Sequence, residues 1–383
     1  MIGIRADANR IIATGHVMRC ITIAKEIVSL GERVVFFFAD DESKALFDGY
    51  SEGIGNADTV VMGTAYDDME GELCTFKKEL SNRGVKALLV DSYFVTRKYF
   101  EEVSKLCPVA YIDDLGKEAF PVDLLINYSG YYSSVGYESL YEGVTGYKGR
   151  ATGFLFGLEY APLRRQFYVG EESEAGGDLN GKRFETVGDS TAETPDGTDG
   201  FHILLTAGGA DMHGMIKATL KAAEDYGLLE ACSNRIEWEV VVGSLVNDAA
   251  DIQMLADRYT NIHLYRNVTD MASLMRRCSL AVVAAGTVLT ECAAVRLPAV
   301  FYQLADNQKA NVEFWKNKEG MAYAGDVSGG ELQKTEVIKR ICENVALIMK
   351  NPQKTALMKN ALEGITEGKG AALIAKELIR LQD

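Results

Sequence analysis

The sequence predicts an α/β protein of two domains, each a parallel sheet covered by helices. Three observations carry that prediction. The chain has 383 residues, more than one core ordinarily serves, since domains run to about 100–200 residues. Short apolar runs alternate with helix-period segments along most of its length, the pattern of strands buried on both faces. Polar or charged residues directly follow several of those runs, as at the carboxyl ends of a parallel sheet, where ligands bind.

Ile2–Ala6 is the first strand. A glycine-bearing loop leads into a helix over His16–Leu30 that stops at Gly31. Arg33–Phe38 is a second strand, and its unbroken apolar run fits burial on both faces. Val85–Val90 ends at Asp91-Ser92-Tyr93, Pro108–Ile112 ends at Asp113-Asp114, and Asp123–Ile126 is a short fifth strand. Glu171–Gly200 breaks the rhythm: nine acids against two bases give it a net charge of −7, and it holds almost no large apolar residues. Such a composition buries too little to order itself and is expected to be an acidic linker or insertion. The α/β pattern then restarts with strands at His202–Thr206, Glu237–Val242, Ile262–Tyr265, Leu280–Val283 and Pro298–Gln303. Helices run to Glu224, over Met271–Arg277 and to Val295, and two more close the chain. The expected divisions are a domain over 1–168, the insertion at 169–200, a domain over 201–365, and a terminal helix at 366–383 that packs back across the junction.

The net charge of −15 argues against a nucleic-acid binder, which would present a basic face. Nearly half of it sits in the acidic segment, so the remainder can still bind a diphosphate. Seven cysteines are scattered without C-x-x-C spacing, which suits a reducing compartment and argues against a zinc site. The N-terminus reads straight into a strand with no basic and apolar leader, and no run approaches the ~20 apolar residues of a membrane span. A cytoplasmic monomer is expected.

Three turns carry candidate chemistry. Arg5-Ala6-Asp7 is followed by Gly15-His16-Val17-Met18-Arg19-Cys20. Gly15 is expected to permit a tight turn, with His16 at the mouth of a helix. There an imidazole of ordinary pKa ~6.5 takes a proton from water near neutrality, and the helix terminus favours its neutral form. Position alone leaves His16 as either a general base or a helix cap. Ala284-Ala285-Gly286-Thr287-Val288-Leu289-Thr290-Glu291 opens a helix with small residues, presenting backbone N–H groups to a diphosphate, and Glu291 is placed to accept from a ribose diol. The alternative is a plain connection with Glu291 solvated. Ala207-Gly208-Gly209-Ala210-Asp211 offers the same physics. Asp306-Asn307-Gln308 and the Asp91–Tyr93 pair either bind sugar and water or cap helices. The tyrosine-rich stretch Tyr128–Tyr147 reads as loop packing with stacking surface as the alternative. There is no Walker A motif, no H-E-x-x-H, no G-x-G-x-x-G and no D-x-D. Backbone dipoles, without a metal or other cofactor, are therefore expected to handle any leaving diphosphate.

Taken together these segments resemble the UDP-2,4-diacetamido-2,4,6-trideoxy-β-L-altropyranose hydrolases of pseudaminic acid biosynthesis. The likeness starts with R-A-D-A…G-H-V-M-R-C (Arg5–Cys20) and continues through V-D-S-Y (Val90–Tyr93), I-D-D-L (Ile112–Leu115) and L-L-I-N (Leu124–Asn127). It runs on through G-L-E-Y-A-P-L-R-R-Q-F (Gly157–Phe167), A-G-G-A-D (Ala207–Asp211), the Gly286–Glu291 turn and A-D-N-Q (Ala305–Gln308). The resemblance implies a GT-B fold of two Rossmann-like domains facing a cleft, UDP held mainly by the C-terminal domain, and inverting hydrolysis of a UDP-sugar without metal. It implies His16 as the base, Asn307 and Tyr93 orienting sugar or water, and Glu291 on the ribose. Arg5, Asp7, Gly15, Arg19, Asp91, Gly208, Gly209, Gly286, Thr287, Asp306 and Gln308 would complete the substrate site. Where the family carries A-G-G-S-T-x-W-E this chain has Thr287, Val288 and Thr290 in place of Ser, Thr and Trp. A glycosyltransferase with a carbohydrate acceptor is the rival on the same scaffold.

Overall fold

The computed structural model describes residues 1–9, 12, 14–55, 57–170, 200–209, 211–229, 235–243 and 246–383. The acidic segment lies outside them up to Gly200, as do Ala210 and Cys232. The chain divides into two compact units, Met1–Arg165 with Gly368–Asp383, and Gln166–Glu367.

The first unit contains strands β1 (Ile2–Ala6), β2 (Val34–Phe38), β3 (Asp58–Val61), β4 (Ala87–Asp91), β5 (Val109–Ile112), β6 (Leu124–Asn127) and β7 (Gly153–Phe156). Between them run α1 (Gly15–Ser29), α2 (Asp41–Asp48), α3 (Leu73–Arg83), α4 (Arg97–Val103) and α5 (Tyr137–Leu140). The strands form one parallel sheet in the order β3-β2-β1-β4-β5-β6-β7. Alternation along β2 explains its apolar run. Phe36 and Phe38 join Ile2, Ile4 and the buried side of α1 on one face, while Val35 and Phe37 join Leu88, Val90 and Phe76 on the other. Helix α1 buries Val17, Cys20, Ile21, Ala24 and Ile27 at helical spacing. It ends where expected because Gly31 takes a φ of 88°, a left-handed value that glycine adopts without steric cost.

The second unit repeats the scheme. Its strands are β8 (Gly200–Thr206), β9 (Arg235–Val241), β10 (Ile262–Tyr265), β11 (Leu280–Ala284), β12 (Ala299–Gln303) and β13 (Met321–Asp326), parallel in the order β10-β9-β8-β11-β12-β13. Its helices are α6 (Met215–Asp225), α7 (Ala249–Arg258), α8 (Met271–Arg277), α9 (Val288–Ala294), α10 (Lys309–Trp315), α11 (Glu331–Met349) and α12 (Pro352–Asn360). Helix α13 (Gly370–Arg380) returns to the first unit, where Ala371, Ile374, Ala375 and Leu378 enter the core beside α1. Burying the Ile374 and Leu378 side chains stabilises that contact by roughly 1.5–3 kcal/mol each. Strand order reverses between β1 and β4 in one sheet and between β8 and β11 in the other. At such a reversal the connections leave in opposite directions and open a crevice at the carboxyl ends. Among the described residues no helix is long and apolar enough to cross a membrane.

Candidate functional site

The reversal in the first sheet gathers four of the expected site residues. Ala6 at the end of β1 faces Asp91 at the end of β4 across the register. Asp91 shares its side of β4 with Ala87 and Leu89, which pack with α1. The first turns of α1 therefore bring His16, Arg19 and Cys20 to the Asp91 carboxylate. His16 Nδ1 lies 2.6 Å from Asp91 Oδ1. A carboxylate only accepts, and this contact is shorter than the 3.0 Å from Arg19 Nη2 to the same nitrogen. Nδ1 is therefore assigned the proton and donates to Asp91, leaving the lone pair of the neutral ring on Nε2. That nitrogen makes no hydrogen bond among the described residues. Thr14 stands at the N-cap of α1, one residue before its first turn, so His16 is not the cap.

Arg19 fixes the carboxylate from the other side. Its Nε and Nη2 donate to both oxygens of Asp91, and its Nη1 donates to Tyr128 Oη at 2.6 Å. The guanidinium also lies over the Tyr128 ring, 5.6 Å from its centroid. Burial alone would raise the Asp91 carboxyl, but the Arg19 charge and the hydrogen bonds from Arg19 and His16 outweigh it and hold the group well below the usual carboxylate range. Asp91 thus remains ionised beside the imidazole. Tyr93 meets the His16 ring edge-on, 4.7 Å between centroids, and its hydroxyl donates to Asp114 Oδ2 at 3.1 Å. Burial and the Asp114 charge push the Tyr93 phenol up, so it stays a donor.

Arg5 and Asp7 have another place. Arg5 points to the face of β1 opposite α1, with no exposed surface, and donates to Glu72 Oε1 and Oε2, both at 2.8 Å, and to Asp7. Tyr99 Oη also donates to Glu72, at 3.1 Å, and Asp7 Oδ1 accepts from the Ala39 amide at 2.7 Å. The group ties β1, the start of α3, α4 and the end of β2 together beneath the strand ends. Gly15 is the exposed first residue of α1, outside the left-handed region and with open space where a Cβ would stand. The tight turn expected of it is not formed there.

In the second unit the two small-residue turns differ. The carboxylate of Asp211 accepts from the amides of Met215 and Ile216 at 2.7 and 3.0 Å, so the start of α6 already holds an anion. Gly208 and Gly209 are exposed, and their carbonyls pass so close to Gly243 that a Cβ there would stand 2.5 and 2.3 Å from them. After β11, by contrast, the amides of Thr287 and Val288 make no hydrogen bond among the described residues, and Thr287 is exposed. Glu291 lies half-buried one turn further on. Asn311 holds this turn from α10, donating to the Ala285 carbonyl at 3.2 Å. Gln308 Oε1 accepts from the Leu304 amide at 2.8 Å, and Asp306 pairs with Lys309 at 3.0 Å. Asn307 stands exposed between them. The expected residues thus form two sets: His16, Arg19, Asp91 and Tyr93 on the first unit, and Gly286, Thr287, Glu291, Asp306, Asn307 and Gln308 on the second. Sequence reasoning missed Glu72 and the roles of Tyr128 and Asp114. The doubled acids at Asp113-Asp114, directly after a strand, were the available signal for the last. Among the described residues no cluster of three or more His, Cys, Asp or Glu is placed to hold a metal ion.

No protein-family model and no curated protein sequence matches the chain. Solved structures do. MurG of Acinetobacter baumannii is similar over 99% of both chains, with a TM-score of 0.62 and 14% identity. TcCGT1, solved with UDP, is similar over 99% of both chains, at 0.61 and 12%. A putative UDP-N-acetylglucosamine 2-epimerase from Listeria monocytogenes is similar over 97% of this chain and 94% of its own, at 0.58 and 12%. At these identities the likeness speaks for the fold: two Rossmann-like units, each a parallel sheet between helices, in the GT-B architecture.

Proposed function

We propose that the chain is a metal-independent, inverting hydrolase that releases UDP from a UDP-diacetamido-trideoxyhexose, a step towards a nonulosonic acid such as pseudaminic acid. The observation that carries the reading is the 2.6 Å contact between His16 and Asp91, which leaves Nε2 as the acceptor at the end of the first sheet. In this reading a water hydrogen-bonded to Nε2 attacks the anomeric carbon. Its proton passes to Nε2, the new C–O bond forms on one face, and the bond to the diphosphate breaks on the other with its electron pair leaving on UDP. Asp91 stabilises the imidazolium so formed, as a carboxylate does in other His-dependent sites. The Thr287 and Val288 amides receive charge developing on the leaving diphosphate, and oriented donors of this kind commonly contribute the largest electrostatic term. Glu291 would hold the ribose, and Asn307 and Tyr93 would orient sugar or water. The substrate class rests on the resemblance carried by Arg5–Cys20, Val90–Tyr93 and Ala305–Gln308, and it accords with the nucleotide named with TcCGT1 and the nucleotide-sugar named for the Listeria protein.

The test is incubation with the UDP-diacetamido sugar in the presence of a chelator and without any acceptor, following UDP. Release under those conditions supports the hydrolase. Release only when a carbohydrate acceptor is added would make the chain a glycosyltransferase.

A further inference from the structure

The two acids after β5 have separate fates. Asp113 is absorbed by its own turn, accepting from the Leu115 amide at 2.8 Å and the Gly116 amide at 3.2 Å. Asp114 receives the Tyr93 hydroxyl on Oδ2, but its Oδ1 is buried and has no hydrogen-bond partner among the described residues. Turning the carboxylate over only exchanges the two oxygens, so one lacks a donor until another group arrives. A buried acceptor left in that state is costly, and native structures hold few of them. Its place is informative. β5 lies next to β4 in the sheet, so Asp114 stands two residues beyond the end of the strand beside the one that ends in Asp91. Its charge acts on Arg19, Tyr128 and Tyr131, and the ring of its one partner, Tyr93, lies against His16. Arg19 bonds directly to Asp91, so it does not supply Asp114 with a donor.

The missing group must donate a hydrogen bond and carry no negative charge. A phosphate fails on charge, and a divalent cation would need further ligands that are not gathered there among the described residues. We infer that Asp114 is a specificity-determining residue that accepts an acylamino N–H of the sugar, with Tyr93, 41% exposed, shifting to admit it. This rests on the nucleotide-sugar reading above and assigns the residue that separates acylamino sugars from plain hexoses.

The test uses the full chain with Asp114→Ala, which removes both acceptor oxygens, and Asp114→Leu in case the first variant fails to fold, since Asn would keep one oxygen able to accept the N–H. Calorimetry measures affinity for UDP, for the UDP-diacetamido sugar and for UDP-glucose, which has hydroxyls instead of acylamino groups. Expected is at least a tenfold loss for the acylamino nucleotide-sugar, with UDP within twofold and UDP-glucose within threefold of the unaltered chain. Unchanged affinity for the acylamino sugar in a folded variant would mean that solvent satisfies Oδ1 and would overturn the inference. An equal loss for UDP-glucose would assign the oxygen to a hydroxyl, and an equal loss of selectivity in Tyr93→Phe would reduce Asp114 to a support for Tyr93. Either result overturns it as well. Because the readout is binding, it stands apart from turnover: a chain that releases no UDP yet shows this selective loss refutes the hydrolase and leaves Asp114 in its role.

Discussion

His16 and Asp91 are separated by 75 positions in sequence and by 2.6 Å in space. The contact exists because β1 and β4 are neighbours in the sheet, and because α1 leaves β1 on the face to which Asp91 points. It decides which imidazole nitrogen holds the proton, and the chemistry proposed for the chain depends on that.

Asp91→Asn tests the tautomer. An amide can donate to Nδ1 and trap the ring with its lone pair turned inward, so kcat should fall by about 10²–10⁴-fold, the usual worth of a positioned base. The folded-state pKa of Asp91 is depressed, so its contribution to stability is complete above the unfolded value of ~3.9 and is lost as pH falls through the folded one. The difference in unfolding free energy between the unaltered chain and Asp91→Asn should therefore shrink as pH falls below about 4. Chemical denaturation across that range measures it.

The turn after β11 makes a separable prediction. Thr287 has φ −59°, close to the value proline imposes, so Thr287→Pro removes one free amide at little cost to the local backbone. Loss of a charge-assisted hydrogen bond worth about 1.5–3 kcal/mol should weaken UDP binding by roughly 10–100-fold. Thr287→Ala keeps the amide and should change affinity less than threefold by calorimetry. Equal losses in the two variants would assign the contact to the hydroxyl.

Glu72→Ala addresses the buried group beneath the site. It would leave the Arg5 guanidinium enclosed with Asp7 as its remaining carboxylate partner, and breaking a buried ion pair costs about 3–5 kcal/mol. The denaturation midpoint followed by far-UV circular dichroism should fall accordingly. A change within 0.5 kcal/mol, the ordinary range for surface substitutions, would show that the group contributes little.

Much of this architecture was legible in the sequence, and the strands that were missed share a cause. The strands that apolar runs did not reveal, β3, β7 and β13, all lie at sheet edges. An edge strand is covered less fully, so Asp58-Thr59-Val60-Val61 carries no run like that of β2, and all four of its residues retain exposure. Helix α12 was also not separated from its neighbours, leaving three closing helices where two were expected. At the candidate site, Asp91 and Tyr93 were conspicuous as polar residues after a buried strand, and His16 as the opening of a helix after Gly15. Arg5 entered the expected set with the Arg5–Cys20 segment. Its position within a central strand instead turns it into the interior, where Glu72, 67 residues away, supplies the counter-charge. Tyr128 meets Arg19 across 109 residues. Such pairings depend on which strands are neighbours, and a local pattern of residues does not encode that.

The central claim is that His16 takes the proton of the attacking water. The most direct measurement is the rate of UDP release by His16→Ala from the UDP-diacetamido sugar, with UDP affinity measured alongside. The account predicts that turnover is abolished while UDP binds as tightly as before. Release at half the rate of the unaltered chain would contradict it.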